Sequence, residues 1–64
     1  MSYKEEDRAR WLRQSSKEAI ALAMRGQWQE AAAANQSVLD LFPNDVEALN
    51  RLGRARLELG VRRR

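Results

Sequence analysis

Leu39-Asp40-Leu41-Phe42-Pro43-Asn44-Asp45-Val46-Glu47-Ala48 holds the one proline of the 64-residue chain. Pro43 disfavours helical dihedrals at Phe42, so a helix arriving through Leu41 must end there. Asn44 and Asp45 are both good caps for a new helix. With Asn44 as the cap, Glu47 stands three residues on and completes a capping box, its carboxylate reaching back to the cap amide. The stretch reads as helix, stop, helix. A connection this short folds the second helix back against the first.

Working back from Pro43, the next breaker is Gly26. It bounds a helix predicted over 28–41, with an apolar face of Trp28, Ala31, Ala32, Val38, Leu41 and Phe42. The run Ala31 to Ala34 suits a helix whose backbone closely approaches its neighbours. Upstream, Ser2-Tyr3-Lys4-Glu5 reads as a capping box, and nothing breaks a helix from there to Arg25. Its apolar residues Trp11, Leu12, Ala19, Ile20, Leu22 and Ala23 recur at helical spacing. Ser15 and Ser16 interrupt them. Downstream, a third helix is predicted over 45–59, with Ala48, Leu49, Leu52, Ala55 and Leu59 on one face and Leu57 off it. Gly60 is read as its end, followed by a frayed basic tail over 60–64.

The composition narrows the chemistry. There is no Cys and no His, which removes disulfides, thiolate and imidazole metal sites, and Cys or His nucleophile–base pairs. Glu5, Glu6 and Asp7 stand at a helix start, where negative charge meets the helix dipole favourably. Glu18 and Glu30 accompany no nucleophile or motif, so the chain reads as a non-enzyme with no cofactor. The apolar run Ala19 to Met24 is far short of a bilayer span, and the acidic N-terminus lacks a signal-peptide core. A soluble, cytoplasmic protein is expected. The net charge of +3 is uneven, being −1 over 1–45 and +4 over 46–64, and ten of the twelve basic residues are arginine. Arg51, Arg54, Arg56, Arg62, Arg63 and Arg64 therefore raise nucleic acid as an alternative partner, against the plainer reading of a solvated face.

A 34-residue offset runs through the chain. Gly26 and Gly60 are read as helix ends at that separation, Ala21 and Ala55 match, and Ala19 and Gly53 are both small. Gly26-Gln27-Trp28-Gln29-Glu30-Ala31, the proline-containing stretch 39–48, and Leu49-x-x-Leu52-Gly53 together resemble the tetratricopeptide (TPR) repeat family. The resemblance covers about residues 12–60, or one and a half repeats. Ser15, Glu18, Asn35, Arg56 and Arg62 depart from the family pattern. It implies an all-α fold, an antiparallel helical hairpin plus a third helix in a single domain over 1–64, and a role in protein–protein interaction or self-assembly. It also implies a concave groove formed by the first helix of each hairpin. Arg13, Ser16, Ile20, Ala23 and Met24 would face it from the first repeat, and Asn50, Arg54 and Leu57 from the third helix. Ser16 and Ile20 do not reproduce the family's Lys/Asn carboxylate clamp, whereas Asn50 and Arg54 are spaced to hold a carboxylate or an acidic peptide.

So small a core rarely supplies more than about 3–5 kcal/mol. The third helix lacks a paired helix, and Leu49, Leu52, Leu57 and Leu59 are the expected uncovered residues. Either a longer array or association of identical chains would complete it. Self-association, with a dimer favoured, is the expectation. Trp28 is expected in the core, and Trp11 either there or at an interface.

Overall fold

The computed structural model describes residues 3–62, with side chains over 5–61. It is all-α: α1 spans Tyr3–Met24, α2 Trp28–Leu41 and α3 Val46–Arg62. α2 packs against both neighbours, while α1 and α3 meet only briefly. The Cα trace measures 51 × 21 × 13 Å, an elongated slab about two packed helices thick. In so thin a slab every helix keeps a side close to solvent. Among the described residues no helix is long and apolar enough to cross a membrane.

The first turn is a Schellman motif. Gly26 adopts φ 74°, its N–H donates to the Ala23 carbonyl at 2.9 Å, and Gln27 N–H donates to the Leu22 carbonyl at 2.9 Å. Only glycine takes this left-handed conformation without a Cβ penalty. The helix then restarts at once, with Gln27 in the cap position offering no side-chain hydrogen bond.

The second turn follows Pro43. Phe42 leaves the helix at φ −130°, its N–H still donating to Val38 O at 2.8 Å, and Asp45 N–H closes the turn onto Phe42 O at 3.1 Å. The cap of α3 is Asp45, not Asn44. Its Oδ1 accepts from Ala48 N–H at 3.2 Å. This shift by one residue places Glu47 a position too early for the expected capping box, and Glu47 instead approaches Arg51 one turn on, at 3.9 Å. The expected Ser2–Glu5 box lies outside the described residues.

α3 corrects a second expectation. It does not end at Gly60 but runs on to Arg62. Gly60 lacks the positive φ of Gly26, because glycine permits the left-handed turn without imposing it. Arg63, Arg64 and the side chain of Arg62 lie outside the described residues.

The core joins Val38 and Leu39 of α2 to Ala48 and Leu52 of α3, with Leu12 and Ala32 packed against it. Ala19, Ala31 and Ala55 are buried; of the alanine run of α2, Ala32 and Ala34 are half-buried and Ala33 is exposed. Leu52 was expected on an uncovered face. It is only 7% exposed, because α3 turns it toward α2, and Leu59 is half-buried. Leu49 and Leu57 are the two of that set left exposed. Trp11 stacks on Phe42 at 6.2 Å between centroids, with the Arg8 guanidinium 4.9 Å from the same Phe42 ring. This contact ties the first half of α1 to the far end of α2.

Candidate functional site: the hollow between α1 and α3

A hollow of about 330 Å³ lies between the last turns of α1 and the first half of α3. Ile20, Ala23 and Met24 line it from α1, Trp28 from the start of α2, and Arg51 and Arg54 from α3. Met24 is 82% exposed and Ile20 is also exposed, so two large apolar side chains face water here. Trp28 is half-buried rather than a core residue, because it stands at the mouth of the hairpin turn where no helix covers its outer side. The Arg54 guanidinium lies over its ring at 5.4 Å, a cation–π arrangement.

The two arginines play different parts. Arg51 Nε donates to Asn35 Oδ1 at 2.8 Å, Nη2 approaches Ser16 Oγ at 3.5 Å, and Nη1 lies 3.9 Å from a Glu47 carboxylate oxygen. Asn35 is 1% exposed, and its Nδ2 donates to Ala31 O at 2.8 Å. One guanidinium thus reaches all three helices and satisfies the buried amide of α2. Arg54 lies on the outer rim, where its Nε donates to Glu58 Oε2 at 3.0 Å. The Arg54 side of that pair is exposed and Glu58 half-buried, so solvent screens the contact and it holds the side chain only weakly.

Of the residues expected in a groove, Ile20, Ala23, Met24 and Arg54 line the hollow together. Ser16 is half-buried beneath Arg51 and supports that side chain. Arg13 and Asn50 are exposed and outside the lining, and so is Leu57, which belongs to another side of α3. Sequence reasoning missed Arg51 and Trp28 as lining residues. A signal for the first existed: Asn35 sits between Ala31 and Val38 on the buried stripe of α2, where a polar side chain requires a partner. Among the described residues no three acidic side chains converge as a cation site would need. A search against family models, curated proteins and solved structures finds no match to this chain.

Proposed function

We propose that the chain is a non-enzymatic protein-interaction module of TPR type, and that the hollow between α1 and α3 receives a peptide carrying an aliphatic side chain beside a carboxylate. One observation carries the reading. The hollow joins an exposed apolar floor of Ile20, Ala23, Met24 and Trp28 to two guanidinium groups, with no carboxylate among its lining residues. Apolar surface supplies affinity, and a cation at its edge supplies selectivity for an anionic neighbour. The 34-residue offset and the tight hairpin turn at Gly26 support the family reading.

The test is fluorescence anisotropy with two labelled peptides, one alternating leucine with glutamate and one alternating leucine with lysine. The acidic peptide is expected to bind, more weakly at high salt, and the basic one to fail. Arg54→Ala should weaken the acidic peptide about fivefold, the loss of one exposed charge-assisted contact. Glu58→Gln should strengthen it by freeing the Arg54 guanidinium. Equal binding of both peptides, or of neither, refutes the reading.

Nucleic-acid binding through the arginines of 51–64 has less support. No aromatic side chain is interleaved among them to stack on bases. Salt-sensitive binding to a random duplex would revive it.

A further inference from the structure

A different side of α3 is bare. Val46, Leu49, Gly53, Leu57 and Gly60 are spaced three, four, four and three residues apart, so they share one side of the helix. All five are exposed. The residues 34 positions earlier are Leu12, Ser15, Ala19 and Ala23 of α1 and Gly26 of the first turn. Those are more covered, with Ala19 fully buried and the other four half-buried. The stripe of α3 has the character of a helix-packing face and lacks its helix. A Cβ added at Gly53 or Gly60 would meet nothing within 4 Å, so within one chain neither position is crowded by a neighbour.

We infer that this stripe is the dimer interface, covered by α3 of a second copy running antiparallel, with the two-fold axis passing at Gly53. The stripe is self-complementary about that residue. Reversing α3 around Gly53 sets Leu49 opposite Leu57 of the copy, and Val46 opposite Gly60 of the copy, so the gap left by Gly60 faces a larger side chain. Glycine on the axis lets the backbones approach closely. An isologous contact of this kind closes on itself and stops at two copies. It rests on the general reading of the chain as an interaction module but uses a face separate from the hollow, so the two fail independently.

Sedimentation equilibrium over a wide dilution series should give a monomer–dimer equilibrium. Leu57→Asp should raise the dissociation constant about thirtyfold, as for a central hot-spot residue, with helicity by circular dichroism retained. Gly53→Leu should raise helicity yet weaken the dimer, since it strengthens the helix and obstructs the axis. The chain has no cysteine, so orientation can be read by cross-linking. A mixture of Leu49→Cys and Leu57→Cys chains should form the mixed disulfide, and Gly53→Cys should cross-link to itself. A monomer at every concentration, or a Leu57→Asp variant of unchanged mass, overturns the interface. Preferential Leu49→Cys self-pairing overturns its direction. If the dimer fails while the acidic peptide still binds, this inference alone falls. If the peptide fails while the dimer forms, the hollow's role falls and the interface stands.

Discussion

The Asn35–Arg51 contact is the sharpest place to perturb this fold. Replacing Arg51 with Met keeps an aliphatic stem but removes the donor to Asn35 Oδ1, leaving a carbonyl oxygen in a residue 1% exposed with no partner. An unmatched buried acceptor costs about 1–3 kcal/mol, and the contact to the Glu47 carboxylate adds little, because that carboxylate is well solvated. We expect a loss of about 2 kcal/mol, close to half of what a core this size provides. Asn35→Ala should cost less, about 1 kcal/mol, because the freed guanidinium can turn toward solvent. The double substitution should fall short of the sum by at least about 1 kcal/mol, since it leaves neither group orphaned. The assay is urea denaturation followed at 222 nm. With an m-value of about 1 kcal/mol per molar, Arg51→Met should lower the midpoint by about 2 M. Additive effects, with coupling below about 0.5 kcal/mol, would show that the guanidinium does not support Asn35 and would refute the account.

The two helix-linked glycines should respond with opposite signs. Gly26→Ala forces an alanine to φ 74° and should cost about 1 kcal/mol, whereas Gly60→Ala, inside α3 with open space around it, should gain about 0.5–1 kcal/mol. Thermal melts at concentrations low enough to hold the chain as a monomer would distinguish them, and a destabilised Gly60→Ala would mean that α3 ends there. Asp45→Ala should cost about 1 kcal/mol through loss of the cap on Ala48, while Asn44→Ala should be close to neutral, both read by the same melts.

The helices themselves were legible because their punctuation is chemical. Pro43 constrains Phe42, Gly26 supplies the left-handed residue of a Schellman turn, and each acts within a few residues of itself. Gly60 misled for the complementary reason. The same residue type is neutral toward a helix end unless the chain beyond it turns back. The choice between Asn44 and Asp45 was also out of reach, since both are capable caps and the turn after Pro43 decides which faces the helix. Four of the six lining residues, Ile20, Ala23, Met24 and Arg54, were open to anticipation, because the resemblance to the TPR pattern implies them. Arg51 could not be placed so directly. Its partners, Ser16 and Asn35, are on other helices, and an arginine four residues from Glu47 reads from sequence as a surface pair. Leu52 and Leu57 likewise differ only in rotation about α3, which the packing of α2 determines.

The placement of the two indoles has a practical consequence. Trp28 begins α2 in the hollow, beneath the Arg54 cation, while Trp11 rests on Phe42 just past the other end of that helix. The 14 residues of α2 keep these neighbourhoods about 20 Å apart. The molecule therefore carries two intrinsic optical gauges. A Trp11→Phe chain should emit only from the hollow and report its occupancy without a dye, and a Trp28→Phe chain should report the docking of α1 on the second turn. Comparing their emission during denaturation would establish whether the two ends of α2 release together or in sequence.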